Sequence, residues 1–61
     1  MLKIAIDAMG GDFGPEPIIE GLVAALKKNN NFTAIAVGKK DELLPLIPQI
    51  FLSRIEILDT D

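Results

Sequence analysis

Cysteine and histidine are both missing from this 61-residue chain. A disulfide framework and a zinc site built on Cys or His are therefore excluded within it. So is a Ser-His or Cys-His nucleophilic pair; the only hydroxyl side chains are Thr33, Ser53 and Thr60. Basic residues are few and scattered (Lys3, Lys27, Lys28, Lys39, Lys40 and Arg54), and the formal net charge is −3. With no basic stripe, nucleic acid is not an expected partner. Lys3 and Lys39 can act only as electrostatic helpers. The longest apolar stretch, residues 43–52, is interrupted by Pro45, Pro48 and Gln49. It is about half the length needed to cross a bilayer. The N-terminus passes from Lys3 to Asp7 and Gly10 without an apolar region long enough to read as a signal peptide.

What is present is a strand-helix alternation. Residues 2–6 form an Ile-rich run that reads as a buried strand. Gly14-Pro15-Glu16-Pro17 opens a helix, since proline is tolerated in a first turn whose N–H groups have no intrahelical partner. Ile18, Ile19, Leu22, Val23, Ala25 and Leu26 share one face at helical spacing. Glu16 and Glu20 lie near its positive end, and Lys27 and Lys28 near its negative end. Asn29-Asn30-Asn31 ends it. Residues 32–37 read as a second strand closed by Gly38. Residues 39–50 predict a short helix, capped by Asp41 and broken near Pro45. Residues 54–58 alternate polar and apolar and read as a third strand nearer an edge.

The order β-α-β-α-β implies parallel strands joined by right-handed crossovers. Asp7, Gly38 and Asp59 then line one edge of the sheet, where open α/β folds bind ligands. Apolar parallel strands call for helices on both faces. Two short helices cannot supply them, and a chain this short buries only about 60% of its unfolded surface. The expectation is a three-layer α/β fold with a mostly parallel sheet. Residues 1–61 would be the N-terminal part of one larger catalytic domain continuing past Asp61.

The chemistry-bearing segment is Asp7-Ala8-Met9-Gly10-Gly11-Asp12-Phe13-Gly14-Pro15. Gly10 and Gly11 permit positive φ and close backbone approach to a ligand, and the following helix N-terminus favours anions. A plain strand-to-helix turn is the alternative. The dinucleotide fingerprint is only weakly met, because the glycines are spaced G-G-x-x-G and the second strand ends Ala36-Val37-Gly38 without an acid; a nucleotide- or metal-binding α/β module of another enzyme class, or an inactive fragment, is the alternative reading. The P-loop signature is absent. Asp7 and Asp12 can bind a hard cation, accept hydrogen bonds that order the loop, or act as acid or base. Loop ordering is the simpler reading for each singly. The Met9 side chain reads as packing rather than ligand, and Phe13 as packing or a pocket wall.

The stretch Ile4-Ala5-Ile6-Asp7-Ala8-Met9-Gly10-Gly11-Asp12 with Gly14-Pro15 resembles the N-terminus of the bacterial phosphate acyltransferase family, PlsX. The likeness continues through Gly21, Ala24-Ala25-Leu26-Lys27, Ile35-Ala36-Val37-Gly38 and Arg54-Ile55-Glu56-Ile57. It implies roughly the first fifth of an enzyme that moves a fatty acyl group from acyl carrier protein to inorganic phosphate, for phospholipid synthesis. It also implies a homodimer, cytoplasmic and peripherally membrane-associated, that uses no cofactor and no metal. Asp7 and Asp12 become the candidate catalytic residues, and Met9, Gly10 and Gly11 the candidate substrate- or phosphate-binding residues. Phosphate is then the nucleophile, which suits a chain without Ser-His or Cys-His machinery. The family commonly has His where this chain has Phe13.

Overall fold

The computed structural model describes residues 2–60. The elements are β1 (Leu2–Asp7), α1 (Pro15–Lys28), β2 (Phe32–Gly38), α2 (Lys40–Leu43), 3-10 turns at Leu44–Leu46 and Gln49–Phe51, and β3 (Ile55–Asp59). The three strands form one parallel sheet in the order β1-β2-β3. Each crossover steps the same way along the sheet, so the right-handed rule sets both connections on one face.

That face holds the core. Ile19, Leu22, Val23 and Leu26 of α1 pack with Leu43, Ile47 and Phe51 onto Ala34, Ala36 and Ile55 of the sheet. The central strand presents small residues, Ala34 and Ala36, at the positions beneath the helices. Gly38 continues that row. A Cβ there would sit 2.7 Å from Met9 Cγ and 3.0 Å from Leu43 Cδ1, so only glycine lets the Met9 and Leu43 side chains close over the end of β2.

The opposite face is bare. It mixes apolar and polar residues, Lys3, Ala5 and Asp7 of β1, Thr33, Ile35 and Val37 of β2 and Glu56 and Leu58 of β3, with the register Ala5↔Ile35↔Glu56 and Asp7↔Val37↔Leu58. Lys3 Nζ and Glu56 Oε1, 3.8 Å apart, form an exposed ion pair between the two outer strands. The described residues thus make two layers of an α/β fold.

Two expectations differ from the structure in detail. β1 reads as buried from its composition, yet Leu2 is 64% exposed and Ile4 38%. Both lie on the helix-bearing face, in register with Phe32 and Ala34, and stay exposed because β1 is an edge strand whose amino half the helices do not cover. In residues 39–50 the regular helix stops after four residues, and 3-10 turns replace it where Pro45 and Pro48 interrupt the backbone donors. Asp41 lies inside α2 and does not cap it. Lys39 holds the N-cap position, and the Asp59 carboxylate accepts the Lys40 N–H at 3.0 Å.

The amino end of the sheet is tied by one side chain. Arg54 Nη1 donates to the Leu26 carbonyl at 2.9 Å, and Nη2 donates to the Asn29 and Phe32 carbonyls at 2.6 and 2.8 Å. The guanidinium therefore closes the carboxyl end of α1 and the turn into β2 with a positive charge, where the helix dipole favours one.

Candidate functional site

The strands are parallel, so Asp7, Gly38 and Asp59 end together at the carboxyl edge of the sheet. The β1–β2 ladder runs one residue beyond β1, with the Ala8 N–H donating to the Val37 carbonyl at 2.9 Å. Ala8 is fully buried. The chain then turns outward, and residues 9–14 lie over the end of the sheet.

Asp7 shapes that turn. Its Oδ1 accepts the Met9 N–H at 3.1 Å, an Asx-type turn in which the side chain imitates a backbone acceptor. The same carboxylate presses on Gly10, where a Cβ would fall 3.0 Å from Oδ2. At Gly11 a Cβ would lie 3.1 Å from Ile18 Cδ1, so this glycine lets the loop settle onto the first turn of α1. Met9 packs over Gly38 with its side chain, which leaves its backbone as the part facing the loop.

Positive φ occurs elsewhere than the glycine pair suggests. Among the described residues the single left-handed glycine is Gly14, at φ 81° and ψ −172°, the N-cap of α1. Gly10 and Gly11 are favoured by close approach to the Asp7 and Ile18 side chains, Gly14 by backbone conformation.

The helix N-terminus is a poorer anion cradle than its position implies. Pro15 and Pro17 carry no N–H, which removes two of the four donors that a first turn leaves free. Gly14 supplies no side-chain cap, and Glu16 adds a negative charge to the first turn. The Gly14 and Glu16 N–H groups remain, beside the exposed Asp12 and Asp7 carboxylates. Asp12 has no hydrogen-bond partner among the described residues, so of the two acids it is the one not committed to the loop. Phe13 is 88% exposed and packs on nothing within the described chain.

A second feature lies on the same edge. Lys39, Lys40, Asp41, Glu42, Asp59 and Thr60 line an open cavity of about 300 Å³. It shares no residue with the β1 loop. The strand-end positions of Gly38 and Asp59 follow from parallel topology alone. Their grouping with α2 depends on the Asp59–Lys40 hydrogen bond and on the Thr60 N–H donating to the Gly38 carbonyl at 2.9 Å. No local signal announces two contacts spanning about 20 residues. Among the described residues, no group of three or more His, Cys, Asp or Glu converges on a point that could hold a metal ion. No helix is long and apolar enough to cross a membrane.

These features define a parallel α/β unit whose candidate site is a glycine-rich, carboxylate-bearing loop at a strand's carboxyl end. A sequence model of the family described as "Fatty acid synthesis protein" matches residues 2–61. Across all 61 residues the chain is 84% identical to a phosphate acyltransferase of Aliarcobacter butzleri. It is 57% identical over the same length to phosphate acyltransferases of a Nitratiruptor species and of Sulfurimonas denitrificans. The chain belongs to this fatty acid synthesis protein family, that of the phosphate acyltransferases. It spans about 18% of the length of each of these relatives.

Proposed function

We propose that these residues serve an enzyme that transfers a fatty acyl group from acyl carrier protein to inorganic phosphate, giving an acyl phosphate for phospholipid synthesis. The observation that carries this reading is the 84% identity, over every residue of the chain, to a protein named phosphate acyltransferase. In the reaction a phosphate oxygen attacks the thioester carbonyl carbon. The new C–O bond forms, the C–S bond breaks, and the carrier thiolate leaves and takes up the proton that hydrogen phosphate gives up. No protein nucleophile and no cofactor are needed, and the chain offers no Ser-His or Cys-His pair. Acyl carrier protein and phosphate are the substrates. The working protein is a homodimer in the cytoplasm that touches the membrane peripherally through parts outside these residues.

The loop contributes position rather than charge. With the Met9 N–H already held by Asp7, the Gly10 and Gly11 backbone N–H groups are the donors for phosphate or for the oxyanion that develops on the thioester carbonyl. Asp7 orders those donors through its bond to the Met9 N–H. Asp12, free of loop bonds, is the acid placed to accept a substrate proton or hydrogen bond. Both carboxylates repel a phosphate dianion, and Pro15 and Pro17 halve the helix donors, so cationic groups from the rest of the enzyme must offset them. The 61-residue segment by itself is one wall of the site and is not expected to turn over substrate.

The test uses a chain of family length, with these 61 residues set in front of the remainder of the Aliarcobacter butzleri enzyme. Phosphate-dependent release of free carrier protein from acyl carrier protein is the expected result; release no faster than without enzyme overturns the reading. Asp7→Asn keeps an oxygen for the Met9 N–H and should retain much of the activity, whereas Asp7→Ala should lose about tenfold or more in kcat. Equal loss in both variants would give Asp7 a charge-dependent role instead of loop ordering.

A further inference from the structure

The shape of the glycine loop and its place on the sheet are set by different groups. Asp7 gives the loop its shape through the Met9 N–H, but that bond is exposed and joins residues only two apart. It moves with the loop and does not fix where the loop lies. The Ala8 N–H bond to the Val37 carbonyl is the last rung of the ladder before the chain turns outward. Beyond it, among the described residues, the Met9 side chain ties the loop to β2 and α2. A Cβ at Gly38 would lie 2.7 Å from Met9 Cγ, 3.1 Å from Met9 Sδ and 3.0 Å from Leu43 Cδ1, so Met9 and Leu43 meet over the same missing methyl group. Gly38 and Leu43 are buried, and Met9 is partly buried against the core that includes Leu43. This socket is itself held, by the Thr60 N–H on the Gly38 carbonyl at 2.9 Å and by the Asp59 carboxylate on the Lys40 N–H at 3.0 Å. On the other side of the glycine pair, Gly11 rests on Ile18 of α1, where a Cβ would fall 3.1 Å from Cδ1.

We infer that Met9 is a positioning residue for phosphate: its side chain, seated between Gly38 and Leu43, holds the Gly10 and Gly11 N–H groups where one anion meets both. The inference rests on the reading of this loop as a phosphate-binding one. It adds to that reading three groups that touch no substrate, the Met9 side chain, Gly38 and Leu43. Donors on a free loop must be ordered when the ligand arrives, and the lost chain entropy is subtracted from affinity. Donors already held by a buried contact need no such ordering. Gly10 and Gly11 are both exposed, and glycine loses more freedom on ordering than any other residue, so this pair depends on the anchor beside it. Methionine suits the socket, because its unbranched chain fills an irregular gap between a strand end and a helix.

The test titrates inorganic phosphate into the family-length chain and follows the Gly10 and Gly11 amide resonances, with urea unfolding measured alongside. In the parent both amides should shift and saturate. Met9→Ala frees the loop and should need at least about tenfold more phosphate for the same shift. Met9→Leu keeps the volume of the peg and should stay within about twofold of the parent. The decisive variant is the pair Gly38→Ala with Met9→Ala. The new methyl group fills part of the socket, so stability should return toward the parent while phosphate affinity stays about tenfold weaker. Affinity that returns together with stability overturns the inference, because Met9 would then serve core packing alone. Parent-like affinity in Met9→Ala overturns it too, as does a parent whose Gly10 and Gly11 amides ignore phosphate. Amides that respond to phosphate in a parent unable to transfer acyl groups would sink the proposed reaction and leave this inference standing.

Discussion

The two ends of the sheet are built by opposite means. At the amino end, one arginine gathers three backbone carbonyls from the end of α1, the turn and the start of β2. At the carboxyl end the side-chain bonds are two carboxylate-to-backbone contacts, Asp7 to Met9 and Asp59 to Lys40, both exposed. Glycine does the rest there, at Gly10, Gly11, Gly14 and Gly38. The amino end is cross-linked by charge-assisted bonds between segments distant in sequence. The carboxyl end is shaped by local turns and tight approaches that leave backbone groups facing outward. A parallel sheet divides its labour this way because all its strands bring their following loops to one edge. Stability can then be invested at the other edge without obstructing the site.

That contrast can be broken most forcefully at Arg54. Arg54→Ala strips three carbonyls of their donor, two of them partly buried, and should destabilise the family-length chain by about 2–4 kcal/mol in urea unfolding. Arg54→Lys offers a point charge in place of a planar fork and should recover only part of the loss. If Arg54→Ala unfolds no earlier than the parent, the amino end is not the anchored one.

At the carboxyl end, Gly38→Ala forces a methyl group into the space held by Met9 and Leu43. A cost of about 1–3 kcal/mol is expected from overpacking. Met9→Ala added to it should restore part of that stability, a non-additive pair by double-mutant cycle. Strict additivity would mean that Met9 does not pack on Gly38 as described. The smallest effect belongs to the outer face. Lys3 and Glu56 are both more than half exposed, so Lys3→Ala should change stability by no more than about 0.5 kcal/mol. A larger loss would show that this pair is sheltered in the longer chain.

Much of the fold was legible from periodicity. All three strands and α1 fall within a residue or so of the expected bounds, because Ile-rich runs, the Gly-Pro opening and the Asn run are strong local signals. The 39–50 region was legible only as a broken helix. Two prolines mark where regular hydrogen bonding must fail but not what replaces it. In the candidate site, the position of Asp7 and the packing role of Met9 followed from sequence. The expectation that the helix N-terminus favours anions was too generous, because Pro15 and Pro17 remove two of its donors. The conformation of the glycines was not legible there. Three glycines within five residues look alike until the structure shows which meets a carboxylate, which meets Ile18 and which has φ 81°.

By itself the sequence determined the parallel β-α-β-α-β order, the exclusion of thiol and imidazole chemistry, and the family to which the motif at residues 4–15 points. These depend on residue type and on spacing along the chain, which one dimension records in full. Only the tertiary structure decided that both helices share one face, that Ala5, Ile35, Val37 and Leu58 align with Lys3, Asp7, Thr33 and Glu56 on the other, and that Arg54 reaches back 28 residues to the Leu26 carbonyl. The strand order and register that create those juxtapositions are long-range pairings, chosen by the packing of the whole unit and carried by no single stretch of the chain.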